Sequence, residues 1–204
     1  MILKEWALTQ QRSEETRARI LEAALDRFAR YGYDATGVAE ICRAAGVSKG
    51  AFYHHFPSKQ AAFLELMDRW LESIEQQLAG VQAEAGTTPE ALTEMAGMMG
   101  SLLNGASEQL PMFLEFWSKA ARDPVVGEAM SAPYQRYQAF FCRLIEAGVE
   151  EGSLHPVDPE IAGQVLVSLA VGLALQGLVG PRATDWDQVV QRSMQMLLAG
   201  WTRS

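Results

Sequence analysis

Cysteine is nearly missing. Cys42 and Cys142 are the only two in 204 residues, with no C-x-x-C pair. That excludes a disulfide framework and a thiolate zinc site, and leaves two small apolar residues suited to a reducing compartment. Histidine is scarce too, with three in the chain. His54 and His55 are adjacent, so on a helix they point about 100° apart and chelate one metal poorly. His155 lies in a Gly-Ser-Leu-His-Pro turn. There is no G-x-S-x-G, no H-E-x-x-H and no glycine-rich phosphate loop. The carboxylates are scattered too generically to act as an acid/base pair. The expectation is therefore no catalytic residue, no metal, no cofactor and no enzyme activity. Strand-like alternation and internal repeats are absent as well, so the chain reads as all-α. The first residues, M-I-L-K-E-W-A-L-T-Q-Q-R, lack an apolar leader core, which makes cytoplasm the default location.

Hydrophobic residues make up 49% of the chain, enough for one large domain or two small ones with a real core. The formal net charge is −8. It is unevenly spread: residues 1–60 hold nine Lys/Arg against seven Asp/Glu, whereas residues 61–204 hold eight against eighteen. A basic head on an acidic body suits a protein that docks on a polyanion by one end only.

The sharpest local signal is Val47 to Lys59, V-S-K-G-A-F-Y-H-H-F-P-S-K. Ser48 is an N-cap residue. Pro57 closes the segment, because the residue before a proline is pushed out of the helical region. The helix between them has about two turns, too few to persist alone. Ala51, Phe52 and Phe56 supply its packing. Lys49, Gly50, Tyr53, His54 and His55 face outward, a surface suited to phosphates and base edges. Just before it, Thr36 to Ala45 carries Val38, Ala39, Ile41, Cys42 and Ala45, and Gly46 stands where a left-handed C-cap is expected. Helix, glycine turn and short capped helix form a helix-turn-helix signature.

At Ile41, Ala45-Gly46-Val47-Ser48, Gly50, Tyr53, His55-Phe56 and Ser58-Lys59 the sequence resembles the TetR family of transcriptional regulators. The agreement is in the spacing of many positions and covers about the first quarter of the chain. Cys42, where the family usually carries alanine, and Gly37 are departures that add neither charge nor bulk. The resemblance implies a homodimer on a palindromic double-stranded operator, a repressor that a small effector in the body releases. It implies phosphate bonds from Tyr53, His54 and Lys59, assisted by Thr36 and Ser48. The residues themselves place Lys49 and Gly50 against base edges, Gly50 because no side chain holds the backbone away. Arg43 is within reach of a base or a phosphate.

Division falls between residues 1–57, an arm plus head, and 58–204, a helical body. Met1 to Arg12 reads as an arm whose Lys4 and Arg12 are in reach of phosphate, and Ser13 reads as the next helix start. Arg17 and Arg19 read as solvated charge or phosphate contacts. Ser58 caps a long helix that links head to body. Thr88-Pro89, Asp123-Pro124 and Asp158-Pro159 each set a capping side chain before a proline at the first helical position. Glu108 to Arg122 forms another helix, and Thr184 caps the last, giving about nine helices.

In the body, Met98, Met99, Phe113, Trp117 and Tyr137 are the candidate walls of an effector pocket, with an ordinary helical core as the competing reading. Glu115, Arg136 and Arg143 flank these faces, and solvent-facing charge is their commoner fate. Ile161 to Gly180 is twenty residues without a charge. Its length suits a membrane span, but its small residues and apolar neighbours favour a four-helix homodimer interface through Val165, Leu169, Leu173, Val190, Met194 and Leu197. No membrane partner is expected. A DNA-binding protein whose body only dimerises or recruits a protein stays open as an alternative to the effector-responsive regulator.

Overall fold

The computed structural model describes residues 2–104, 109–180 and 183–202. Among them the chain is all-α, in nine helices: α1 (Ile2–Tyr31), α2 (Val38–Ala45), α3 (Lys49–His55), α4 (Lys59–Glu84), α5 (Thr88–Asn104), α6 (Gln109–Ala120), α7 (Pro124–Glu150), α8 (Pro159–Val179) and α9 (Trp186–Trp201). One isolated bridge, Leu154 to Thr202, ties the α7–α8 connection to the end of α9.

Most helix starts follow the capping residues. The Ser58 hydroxyl accepts from Ala61 N, Asp123 from Val125 N, and Asp158 from Glu160 N and Ile161 N. Three expectations need correction. Ser13 lies inside α1 and does not start it. Nothing in residues 2–12 breaks a helix, and contacts cross the position: Gln11 donates to Glu15 at 3.0 Å and the Thr16 hydroxyl to Arg12 O at 2.8 Å. Thr88 is the first residue of α5, not its cap. It is buried, its amide donates to Glu151 at 2.8 Å, and the Glu90 carboxylate accepts instead from the amides of Gly86 and Thr87. Asp185, not Thr184, caps α9, accepting from Gln188 N at 3.1 Å. The proposed helix start at Glu108 and the Lys4 side chain lie outside the described residues.

Two apolar clusters organise the molecule. The head cluster gathers Ile20, Ala24 and Phe28 of α1, Ile41 and Cys42 of α2, Phe52 and Phe56, and then Phe63 and Met67 of α4. It also takes in Met112 and Phe116 of α6 and Val126 of α7, so packing is continuous across residue 57. The body cluster is built where α5 lies on α9 and α7 on α8, the most extensive helix pairs. Small residues permit those approaches: a Cβ at Gly100 would stand 2.8 Å from the Asp187 backbone, and one at Gly163 would stand 3.1 Å from Cys142 N.

Helix α8 is long and apolar enough to cross a membrane, the one such helix among the described residues. Its inner face is held by α7, and Ile161, Val165 and Val179 remain exposed.

Candidate nucleic-acid interface and effector cavity

The head presents α3 as expected. Gly46 adopts φ +65°, ends α2 and turns the chain, where any L side chain would be strained. Ser48 Oγ accepts from Ala51 N at 3.1 Å, which leaves its own O–H free to donate outward. Phe52 and Phe56 are buried and pin the helix from beneath. Arg43, Ser48, Lys49, Gly50, Tyr53 and His54 are all exposed, Ser48 at the cap of α3 and the others on the two helices of the motif. Gly50 has open space: an added Cβ would come no closer than 3.7 Å, to Ser48 Oγ. His55 is only partly exposed, and burial, with His54 and Arg17 nearby, lowers its pKa.

Two of the candidates face the other way. The Thr36 side chain is buried and its hydroxyl lies 2.8 Å from Gly32 O and 3.1 Å from Arg27 O, so it closes the end of α1 and offers nothing to a phosphate. Lys59 Nζ donates to Tyr33 O at 2.6 Å and Thr36 O at 2.8 Å and sits over the Tyr33 ring. Partial burial lowers its pKa. Two of its three N–H groups thus hold the α1–α2 turn, and a single donor remains. Arg17 pairs with Glu65 of α4 and stacks on Phe56, a structural role.

That same turn is gripped from the body. Glu115 of α6 accepts from Tyr33 N at 2.8 Å, and Lys119, one turn on, pairs with Asp34 at 2.8 Å. The Lys119 hydrogen bond holds the Asp34 carboxyl below its ordinary pKa. The partner of Glu115 is not legible along the chain, because its acceptor role needs an amide 82 positions away. Gln60 adds a bond to Asp123 at 2.8 Å.

Behind the grip lies a cavity of about 280 Å³ between α4, α5, α6, α7, α8 and α9. Met98, Met99, Phe113, Trp117 and Tyr137 all stand on its wall. Pro133, inside α7, is there as well, at a point where the helix lacks one backbone bond. Tyr137 donates its hydroxyl to Leu71 O of α4 at 2.6 Å, and burial raises its pKa, so it stays neutral. Arg136 pairs outside the cavity with Glu75 at 3.1 Å.

The six candidate interface residues divide. Leu173, Val190 and Met194 are buried within the subunit and line its cavity, which corrects the reading that they face a partner. An α8 that is apolar all round has one face for its own body and one left over, and periodicity does not say which. Leu169 and Leu197 are half-buried against the same body cluster. Val165 is exposed, in a stripe with Ile161, Ser168, Gly172, Gln176 and Val179, and α9 adds Arg192 and Met196.

A short capped helix displayed beside a glycine turn, on an all-helical body, is the arrangement of helix-turn-helix DNA-binding proteins. Two family models match: bacterial regulatory proteins of the tetR family over residues 20–66, and the C-terminal region of BetI-type transcriptional repressors over residues 106–200. The chain belongs to the TetR family. It is 28% identical over 172 residues to the A-factor receptor protein of Streptomyces griseus, a match covering 81% of this chain but only 56% of that longer protein. It is 24% identical to the transcriptional regulator UidR of Escherichia coli K12, covering 80% of this chain and 82% of that one. In fold it is similar to a transcriptional regulator from Saccharomonospora viridis solved with choline: TM-score 0.80, 22% identity, 94% of this chain and 100% of the other.

Proposed function

We propose that the protein is a homodimeric repressor that leaves a palindromic operator when a small apolar molecule fills the body cavity. The observation that carries this reading is that α4 and α6 wall the cavity and also hold the head: α4 through Lys59, α6 through Glu115 and Lys119. A ligand that reshapes the wall therefore acts on the elements that orient the recognition helix. It shifts DNA affinity only by the difference in its affinity for the two head arrangements.

On DNA, α3 enters the major groove with Lys49 and Gly50 at base edges. Tyr53, His54 and the free Ser48 hydroxyl bind phosphate, and Arg43 reaches a base or the backbone. Lys59 contributes its one remaining donor and mainly supports the turn. The exposed stripes of α8 and α9 pair with those of a second copy and set two heads about 34–36 Å apart, one helical turn of DNA. The description of the matched body model, a repressor, and the choline held by the S. viridis neighbour are consistent with this class of switch.

The test is selection of DNA fragments from a random pool by the pure protein, repeated with candidate effectors. A palindromic consensus whose recovery falls with effector supports the proposal. A consensus indifferent to every cavity ligand removes the switch and leaves a DNA-binding dimer.

A further inference from the structure

Resting on the effector reading, we infer that the cavity takes an uncharged, mostly apolar ligand bearing a hydrogen-bond acceptor, which the indole N–H of Trp117 reads. The wall contains no Asp, Glu, Lys, Arg or His among the described residues. An ion entering it would shed its water without gaining a counter-charge. Several of the polar groups that are present are already matched. The Tyr137 hydroxyl goes to Leu71 O at 2.6 Å, Tyr134 is bonded to Gln164 at 2.8 Å, and Gln77 donates to Ser73 at 3.2 Å. Trp117, on the wall, has an Nε1 with no partner among the described residues and covered too closely for a water-sized atom to sit beside it, so a ligand's acceptor meets it as the covering side chains shift. The other two such atoms, on Arg27 and Arg136, belong to residues off the wall. A buried donor without an acceptor is costly, so a ligand that supplies one gains over a hydrocarbon of the same shape.

A quaternary ammonium would have to rely on aromatic faces. Those faces are partly covered by neighbouring rings: Trp70 meets Phe113 edge-to-face at 5.5 Å and Phe113 meets Trp117 in the same way at 6.1 Å. Met95, Met98, Met99, Met130 and Met194 make the rest of the wall adaptable in shape. Selectivity therefore falls to the absence of charge and to the indole donors, of which that of Trp117 is the buried one.

Three probes test this by calorimetric titration of the full-length protein: 2-acetylnaphthalene, its oxygen-free analogue 2-isopropenylnaphthalene, and benzyltrimethylammonium. The ketone binds about tenfold tighter than the hydrocarbon, and the ammonium gives no saturable heat. Trp117→Phe keeps the ring and removes the donor, so it abolishes the ketone's advantage and leaves hydrocarbon affinity nearly unchanged. Should Trp117→Phe fail to fold, the three affinities on the natural protein still decide. Equal binding of ketone and hydrocarbon, or preference for the ammonium, overturns the inference while the cavity remains an effector site. No binding by any probe overturns both. A ketone preference with unaltered operator affinity upholds the ligand chemistry and removes only the switch.

Discussion

Lys49 of the head and Lys59 at the start of α4 stand ten positions apart, and their surroundings give them different work. Lys49 is exposed and unpaired among the described residues, whereas Lys59 is tied to two carbonyls. Lys49→Ala should cost operator affinity about 1–3 kcal/mol, more than it costs on random DNA, and relax the preference at the base pair it reads, with part of the loss showing as a shallower slope of log affinity against log salt. Lys59→Met should lower folding stability by about 1.5 kcal/mol through the lost bonds at the α1–α2 turn, with a smaller change in salt slope. Urea unfolding alongside affinity at several salt concentrations separates the two. Gly50→Ala is a sharper probe of close approach. Space for the methyl is free in the isolated protein, and alanine favours the helix by about 1 kcal/mol. Stability should hold or rise while DNA affinity falls; unchanged affinity would show that the backbone at this position stays clear of the duplex.

At the scale of elements, helix α5 depends on a network that spans the chain. Glu151, after the end of α7, accepts from the Thr88 amide at 2.8 Å and from the Ser153 hydroxyl at 2.6 Å. The Ser153 bond first, then Thr88, holds its pKa below the ordinary 4.5. A depressed carboxyl contributes stability that is complete above its unfolded pKa and is lost as pH falls through the lower folded value. Urea midpoints of the natural protein should thus decline on the acid side of 4.5 more steeply than those of Glu151→Gln, which lacks this group. Close packing gives a larger effect. A methyl at Gly148 would stand 2.9 Å from Thr88 Cβ, on the same contact. Gly148→Ala should cost about 1–3 kcal/mol by overpacking, read as a lowered midpoint with an unchanged m-value.

For the whole molecule, the decisive surface is the one left bare. Ile161, Val165 and Val179 of α8 and Met196 of α9 are exposed large apolar residues. Added Cβ atoms at Gly172 and Gly200 would meet nothing within 4 Å. Val165→Asp should dissociate the proposed dimer, seen as a halved mass in sedimentation, and should cost palindromic affinity far more than half-site affinity. A monodisperse single subunit in the natural protein would overturn the pairing.

Much of this protein is local and so is readable along the chain. The caps at Ser48, Ser58, Asp123 and Asp158, the left-handed Gly46 and the outward face of α3 follow from steric and hydrogen-bonding preferences that act over a few residues. The aromatic and methionine stripe that became the cavity wall is legible for the same reason, since helical periodicity groups those side chains. Tertiary structure decided everything that needs a distant partner. It turned Thr36 inward, tied Lys59 to the α1–α2 turn, gave Glu115 an amide to hold, and set Leu173, Val190 and Met194 against the cavity instead of a second subunit. A side chain's type states what bonds it is able to make; which bond it makes depends on what folding brings within about 3 Å, and that choice separates a phosphate ligand from a buried strut.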